Sequence, residues 1–207
     1  MAVYHGPRCR QCRREGVKLM LKGERCKSEN CAIERRPFPP GMRVSKRRRS
    51  STEYNMQLRE KQKIRRIYGI LEKQFELYFN TAAKSTGVTG ERLLQLLELR
   101  LDNIVYRLGF APSRSSARQL VLHNHFRVNG KKVNIPSYLV KAGDIIQVKE
   151  KSKNLEMIHS SLKTVRDIPE WMNVDKVKLE GSVIRIPERA AIPINVQEQL
   201  VVELYSR

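Results

Sequence analysis

The fold of this chain is decided by the stretch RLDNIVYRLGFAPSRSSARQLVLHNHFRVNGKKVNI, residues 100–135. Its first part predicts a short helix that ends at Gly109. Ser113 then begins a second helix, because a serine hydroxyl can accept a hydrogen bond from a backbone N–H of the first turn. Asn129-Gly130 lies between two short strand-forming runs and predicts a β-hairpin, since a type I′ turn needs positive φ at both positions. Together with a further strand at Ile145–Val148, the stretch predicts a helical pair followed by a small sheet.

The second helix of this stretch is expected to carry the basic edge of the module. Its apolar positions recur at the spacing that places them against the first helix. The side chains expected to point into solvent are Arg114, Arg118 and Gln119. The module should therefore display one basic edge beside the hairpin.

The charge of the whole chain indicates a polyanionic partner. Its 207 residues include 41 Lys and Arg against 21 Asp and Glu, a net charge of +20. Residues 1–50 contribute +11 of this, from 15 basic and 4 acidic side chains. No apolar run exceeds four residues, so neither a membrane-spanning helix nor a secretory signal is expected. Nucleic acid is the partner that this charge favours, and the four cysteines should stay reduced.

The cysteines form two closely spaced pairs that suit a structural metal site. Cys9 and Cys12 are separated by two residues, and Cys26 and Cys31 by four. Four thiolates can converge on one ion, and they leave no ligand position for a substrate. The spacing predicts zinc, with a four-thiolate iron–sulfur cluster as the alternative that it does not exclude.

A run of five cations in seven residues, Arg43 to Arg49, follows this segment. It is expected to bind phosphates, with a solvated linker or a targeting signal as the alternative. Ser50 and Glu53 then form a capping box before an amphipathic helix over roughly 53–80. A second helix is expected to start near Thr89.

The last quarter of the chain has almost no net charge, so we expect it to serve as a structural scaffold. Trp171 is expected to be buried in a helical turn, and short strands are expected on either side of Gly181. Asn195 can cap a final helix.

Several motifs resemble a known RNA-binding module. Arg-Leu-Asp-Asn, Arg-Leu-Gly-Phe, Ser-Arg-x-x-Ala-Arg-Gln-Leu-Val, Val-Asn-Gly-Lys and Gly-Asp occur in the order found in the S-four RNA-binding domain. The segments 58–69, 134–138 and 203–206 extend the likeness to the bacterial small-subunit ribosomal protein family that shares the name S-four. The N-terminus is similar to the metal-bearing, four-cysteine subset of that family.

The resemblance implies an α+β fold with three parts. Residues 1–45 would form a metal-binding basic arm. Residues 97–160 would form the small α/β RNA-binding domain, inserted into a mainly helical domain made of 46–96 and 161–207.

The resemblance also implies a role in the cytoplasmic small ribosomal subunit. The family binds 16S rRNA directly, nucleates assembly of the subunit body, and influences translational accuracy together with ribosomal protein S-five. Its members lie near the place where mRNA enters, other small-subunit proteins are neighbours, and some members repress their own operon. No membrane or small-molecule substrate is implied.

The residues assigned to RNA contact by charge and by resemblance fall in three groups: Arg43, Lys46, Arg47, Arg48 and Arg49 in the basic run; Arg59, Lys61, Lys63, Arg65 and Arg66 on the helix that follows; and Arg107, Ser113, Arg114, Ser115, Arg118, Gln119, His123, Asn124, His125, Lys131 and Lys132 in the module. Arginine is expected to dominate, because its guanidinium binds phosphate with two parallel hydrogen bonds.

Two other classes of protein are weighed against this hypothesis. RNA-modifying enzymes and some tRNA synthetases carry the same module, but they need a separate catalytic domain, and no motif of an active site occurs here. A metal-bearing DNA-binding transcription factor would need a recognition helix and usually dimer symmetry. We therefore expect a protein that is not an enzyme.

Overall fold

The computed structural model describes residues 3–41, 52–164 and 168–206, and it shows an α+β chain in two compact units. The first unit comprises Met1–Gly90 and Asn195–Arg207, and the second comprises Glu91–Ile194. Within the described ranges, no helix is both long and apolar enough to cross a bilayer.

The first unit is helical. Its elements are α1 (Arg8–Glu15), a 3₁₀ turn (Gly23–Cys26), α2 (Ala32–Arg35), α3 (Glu53–Tyr68), α4 (Glu72–Ala83) and α9 (Glu198–Tyr205). Thr52, rather than the expected Ser50, caps α3: its hydroxyl accepts from the Asn55 amide at 3.3 Å. Ser50 lies outside the described residues.

The single helix expected over 53–80 is two helices. Gly69 ends α3 in the left-handed conformation, with φ of +66°, and its amide donates to the Arg65 and Arg66 carbonyls. A helix commonly ends this way because glycine has no Cβ to obstruct positive φ. The apolar spacing continues across the break, so periodicity alone does not reveal it.

The final helix packs on α3 and closes this unit. The Gln57 amide donates to Glu203 at 3.2 Å, and the Tyr205 ring stacks on Phe79 with centroids 4.3 Å apart. The expected cap at Asn195 is wrong. The helix begins at Glu198, and the Gln197 amide just before it donates to the Glu60 carboxylate.

The second unit contains the module predicted from residues 100–135. Its elements are α5 (Thr89–Glu98), which begins at the unit boundary, α6 (Leu101–Arg107), α7 (Arg114–Leu122), β1 (Phe126–Val128), β2 (Lys131–Lys132), β3 (Ile145–Val148), α8 (Glu156–Lys163), β4 (Met172–Asp175) and β5 (Glu180–Val183). The sheet is antiparallel in the order β2-β1-β3-β5-β4.

The predicted hairpin is confirmed. Asn129 and Gly130 have φ of 49° and 75°, and Val128 pairs with Lys131. The second strand is shorter than expected, because pairing stops at Lys132 and does not continue through 133–135.

The segment after residue 160 divides between the two units, unlike the expected domain of 46–96 with 161–207. β5 pairs with β3, placing Gly181 opposite Ile146, so both late strands extend the sheet of the second unit. Only residues from Asn195 onward belong to the helical unit. Trp171 is buried as expected, but it precedes β4 in a turn rather than in a helix.

One face of the sheet packs on the helical pair and forms the core of this unit. Leu108, Phe110, Phe126 and Ile146 are all fully buried there. The packing is close at Gly181, where a Cβ would come within 2.5 Å of a Leu108 methyl carbon. The core therefore holds the helical pair against the short sheet in one closely packed arrangement.

Two arginines share one carboxylate inside this unit. Arg100 donates from Nε and Nη2 to Asp102 at 3.0 and 2.7 Å, and Arg118 donates from α7 to the same carboxylate at 3.2 Å. The relative exposures of Arg100, Asp102 and Arg118 are 0%, 4% and 7%. The expectation that Arg118 points into solvent is wrong, because Asp102 draws its guanidinium inward. The cluster joins α6 to α7.

We expect Asp102→Ala to lower the free energy of unfolding by about 3–5 kcal/mol, because it leaves two buried guanidinium groups without their carboxylate. Denaturant unfolding followed by Trp171 fluorescence measures this loss, since the chain has one tryptophan and it lies in the same unit. Glu170→Ala is the control, because Glu170 is 91% exposed and its ion pair with Arg185 is long, at 3.8 Å. Equal effects of the two substitutions would contradict a structural role for the cluster.

Candidate nucleic-acid interface

A second buried carboxylate organises the surface next to the start of α7. Glu98 has no exposed side-chain surface and accepts from Arg107 Nη2 and Nε at 2.6 and 3.0 Å. The Asn103 amide also donates to Glu98, at 2.6 Å. Glu98 therefore fixes both Arg107 and the orientation of the Asn103 side chain.

Asn103 in turn holds Arg114 at the first position of α7. Its Oδ1 accepts from Arg114 Nε at 2.8 Å, and the Arg114 guanidinium lies over the Tyr106 ring, 4.6 Å from the centroid. Arg114 is half-buried, so its guanidinium is oriented from two directions at the edge of the module. A preorganised guanidinium loses less conformational entropy on binding a phosphate.

Backbone donors lie beside this guanidinium at the start of α7. The Ser113 hydroxyl accepts from the Ser116 amide at 3.3 Å, which confirms the predicted cap. Ser113 is itself buried, Ser115 is half-buried, and Gln119 is exposed further along α7. The positive end of a helix favours an anion, so the cap and Arg114 present compatible charge.

The charge on the outer face of the sheet changes from positive at one edge to negative at the other. Its cross-strand row runs from Lys132 through Arg127, Gln147 and Glu180 to Asp175. Lys132, Arg127 and the adjacent Lys131 are exposed, and no described carboxylate pairs with them. Only the hairpin edge of this face therefore matches a polyanion.

The residues between α7 and β1 are polar, and one of them is held by a side-chain hydrogen bond. His125 shares a hydrogen bond with the Ser152 hydroxyl at 2.8 Å. Burial, His123 and Lys149 lower the pKa of His125, so this imidazole is neutral at pH 7. His123 is exposed, and Asn124 adopts positive φ in the turn.

The cations of α3 pair with carboxylates of their own unit. Arg59 and Arg66 donate to Glu15, Lys61 and Arg65 to Glu72, and Lys63 to Glu60. Burial acts to raise the pKa of Glu72, but its hydrogen bond from Lys61 and the charges of Lys61 and Arg65 hold that pKa below its usual value. Glu15 attaches α1 to α3, and burial raises its pKa against the opposing effect of both arginines. The α3 cations are half-buried and their charge is partly neutralised.

The four cysteines of the arm line one small cavity, with Lys22, Arg25, Ala32 and Ile33 completing its wall. All four are free thiols; Cys9 is half-buried and the other three are buried. The Lys22 amide donates to Cys26 Sγ at 3.3 Å. Burial and the neighbouring thiols raise the pKa of Cys12, whereas a hydrogen bond from the Leu19 backbone lowers it. Among the described residues, no three Cys, His, Asp or Glu side chains are arranged so that they could hold a metal ion as they stand.

The structure thus brings Arg107, Ser113, Arg114 and the hairpin lysines into one unit, and it places Arg118 in the core. Arg43, Lys46, Arg47, Arg48 and Arg49 lie outside the described residues. Glu98 and Asn103, which orient Arg107 and Arg114, are not among the residues predicted from the sequence. The sequence signal for this pair is an acid at the end of one helix followed five residues later by an amide in the next helix.

Comparisons with known proteins cover the whole chain. Residues 3–98 match the ribosomal protein S4/S9 N-terminal domain, and residues 99–146 match the S4 domain. Small ribosomal subunit protein uS4 of Citrifermentans bemidjiense is 58% identical over 209 residues, and that of Desulforapulum autotrophicum is 56% identical over 209 residues. Protein uS4A of Symbiobacterium thermophilum is 57% identical over 208 residues. In each case 100% of both chains is covered.

Both domain matches follow the order of the two structural units, and the S4 domain match includes the helical pair and the hairpin of the interface. The chain belongs to the uS4 family of small ribosomal subunit proteins.

Proposed function

We propose that this chain is a structural constituent of the small ribosomal subunit that binds 16S rRNA directly, and that it is not an enzyme. The proposal is supported by full-length similarity to proteins named as small ribosomal subunit proteins. The structural observation that carries it is the oriented Arg114 guanidinium in the same unit as the hairpin cations, with which no carboxylate in the described part of the chain pairs. Surfaces of this kind bind folded RNA through its phosphates and shape.

Binding in this proposal is driven by counterion release and by rigid positioning. Lys131 and Lys132 neutralise phosphates as exposed point charges, while Arg114 can chelate a phosphate in a fixed orientation. Ser113, Ser115, Gln119, His123, Asn124 and His125 would add polar donors and acceptors around these cations. Arg118 and Arg107 support the site by fixing α6, α7 and Glu98.

The finer roles are proposals that rest on the family resemblance. They comprise nucleation of subunit assembly, translational accuracy together with protein S-five, and contact with mRNA where it enters the subunit. The basic run Arg43 to Arg49 is the candidate for mRNA contact. Translational repression of its own operon is a further candidate role.

We also propose that the arm binds zinc through Cys9, Cys12, Cys26 and Cys31, with an iron–sulfur cluster as the alternative. The proposal is supported by the four thiols lining one cavity and by the backbone amide that donates to Cys26 Sγ; binding would draw the thiols closer together than they stand in the metal-free chain. A bound ion would be structural: it would join α1 to the 3₁₀ turn and to the start of α2, in a segment with few other buried residues.

Replacing Lys131 and Lys132 together by Gln is expected to weaken binding to 16S rRNA. The slope of log affinity against log salt should become less steep by about 1.4–1.8, because two phosphate contacts are lost. The melting temperature should not change, since both side chains are exposed. Filter binding over a range of salt concentrations measures the slope.

Arg118→Ala is the matched comparison for the lysine variant. It also removes positive charge, but from a side chain that is 7% exposed. It should lower the melting temperature and leave the salt slope of the folded fraction unchanged. An unchanged slope in the lysine variant would contradict the hairpin assignment.

Arg114→Lys separates charge from orientation. Lysine keeps the positive charge but loses the hydrogen bond to Asn103 and the planar group over Tyr106. Affinity at fixed salt should fall about tenfold, because bidentate charge-assisted hydrogen bonds are lost, while the salt slope stays near that of the unmodified protein. Arg114→Gln should lower the affinity and also make the salt slope less steep. Affinity of the lysine variant equal to that of the unmodified protein would show that orientation by Asn103 has no role.

Titration of Zn²⁺ into metal-free protein is expected to show uptake of one ion per chain. Cys9→Ser and Cys31→Ser should each abolish tight uptake and make the first forty residues sensitive to protease. The unfolding midpoint reported by Trp171 should not change, because that residue lies in the other unit. Absence of stoichiometric uptake by the unmodified chain would remove the metal hypothesis.

A further inference from the structure

The tip of the hairpin carries the single Asn-Gly dipeptide of the chain, Asn129-Gly130. Both residues are exposed, and both have positive φ. A Cβ built on Gly130 would meet no atom within 4 Å, so the space at the turn is open. Within the described ranges, the Gly130 amide donates to no backbone carbonyl. Asparagine is a thermolabile residue, and here it lies beside an accessible glycine nitrogen.

Asparagine followed by glycine can lose its side-chain amide without an enzyme. The Gly130 nitrogen gives up its proton and bonds to Asn129 Cγ, the bond from Cγ to Nδ2 breaks, and Nδ2 leaves as ammonia. Water then opens the resulting succinimide ring, which yields either aspartate or isoaspartate at position 129. Glycine permits this reaction best, because it has no Cβ to obstruct the approach to its nitrogen.

In the folded chain, residues of a different turn hold the Asn129 side chain. Its Nδ2 donates to Asp144 Oδ1 at 2.8 Å, and its Oδ1 accepts from the Ile145 amide at 2.9 Å. The Asn129 amide also donates to the Ile145 carbonyl, at 2.9 Å. These three hydrogen bonds form a clasp between the hairpin tip and the start of β3. They direct the side chain toward residues 144 and 145, so it must leave the clasp before Cγ can react with the Gly130 nitrogen.

Asp144 is itself fixed in the position that the clasp requires. Its Oδ2 accepts from the Lys141 amide at 2.8 Å, which leaves Oδ1 for Asn129. Its backbone carbonyl accepts from the Val183 amide at 3.2 Å, and the Gly143 amide donates to the Val183 carbonyl at 2.7 Å. The turn is thus anchored to the sheet. Because Asp144 is the charged partner, its hydrogen bond is the strongest that holds the Asn129 amide.

We propose that Asn129 is a deamidation site, and that the clasp with Asp144 suppresses its reaction in the folded chain. Aspartate at position 129 would place a second carboxylate against Asp144, and like charges at that distance repel. Isoaspartate would lengthen the backbone of a two-residue turn whose geometry depends on both φ angles. Either product loosens the hairpin that carries Lys131 and Lys132. Weaker RNA binding by the product is the consequence, and this part rests on the proposed function.

The first test measures the modification itself. The full chain is incubated at neutral pH, and the rate at Asn129 is obtained from peptide mass spectrometry and enzymatic methylation of isoaspartate. Asp144→Ala should raise that rate about tenfold, because a charge-assisted hydrogen bond no longer holds Nδ2. Denaturing urea should raise the rate of the unmodified chain as well. Asn134, which is exposed and followed by isoleucine, supplies the background rate.

Asp175→Ala is the matched control. The Asp175 carboxylate holds the turn after β4 in the same unit, where it accepts from the Val177 and Lys178 amides at 2.9 and 3.0 Å. Its removal leaves the clasp intact, so the rate at Asn129 should stay that of the unmodified chain. An equal increase in both variants, or none in Asp144→Ala, would overturn the role of the clasp. A rate in urea no higher than that of Asn134 would overturn the site itself.

Asp144→Asn covers the case in which the alanine variant does not fold. An amide at position 144 keeps one of the two acceptor oxygens, so the rate should lie between those of the unmodified chain and of urea. Trp171 fluorescence reports whether the variant is folded, since that residue lies in the same unit. A folded Asp144→Asn variant with the unmodified rate would also count against the clasp.

The second test measures the consequence for RNA binding. Asn129→Asp reproduces one product and should weaken binding to 16S rRNA about tenfold, through repulsion by Asp144. Combining it with Asp144→Asn should restore the affinity, because the new amide can donate to the new carboxylate while the Ile145 and Lys141 amides keep their acceptors. Lys176→Gln also lowers the net charge by one at an exposed position, and it should change the affinity far less.

The two parts of the proposal can fail separately. An affinity for Asn129→Asp equal to that of Lys176→Gln, or the absence of rescue in the double variant, would reject the consequence for RNA binding. Failure of the unmodified chain to prefer 16S rRNA over an unrelated RNA of equal length would reject the proposed function. In that case, a raised rate in Asp144→Ala alone would still support the deamidation site and its clasp.

Discussion

Burial of the Asp102 carboxylate between the guanidinium groups of Arg100 and Arg118 is the interaction on which the RNA-binding unit depends. An isolated charge in that position would be too costly to bury, and three charges are tolerated because each is hydrogen-bonded to its partner. The cluster fixes α7 against α6. That arrangement then sets the position of Ser113 and Arg114 at the start of α7, next to the Glu98 and Asn103 pair that orients Arg114.

Arginine serves two separate purposes in this chain, and the position of the nearest carboxylate decides between them. Arg100, Arg107 and Arg118 have carboxylates within hydrogen-bond distance and act inside the fold. Arg10, Arg35 and Arg36 line a cleft of the arm to which no described carboxylate contributes. The net charge of +20 therefore overstates the charge of any one surface, since much of the basic content of α3 is neutralised locally.

Most of the module was predictable because its signals are local. The Asn129-Gly130 turn, the Ser113 cap and the end of the first helix at Gly109 are each determined within four residues, and all three are confirmed. The errors have physical causes as well. Gly69 interrupts an apolar periodicity that continues on both sides of it, and β4 and β5 join a sheet whose other strands precede them by more than twenty residues. For the candidate site, the sequence identified the cations but not Glu98 and Asn103, which hold them.

The sequence by itself determined the helical pair, the hairpin, the cationic excess and the four thiols, because these depend on backbone preferences and on composition. Only the tertiary structure decided which cations remain available to a ligand. The ion pair between Glu15 and Arg66 joins residues 51 positions apart, and the hydrogen bond between Gln57 and Glu203 joins residues 146 apart. Pairings at such separations depend on how helices pack, and packing is a property of the whole core rather than of any local stretch.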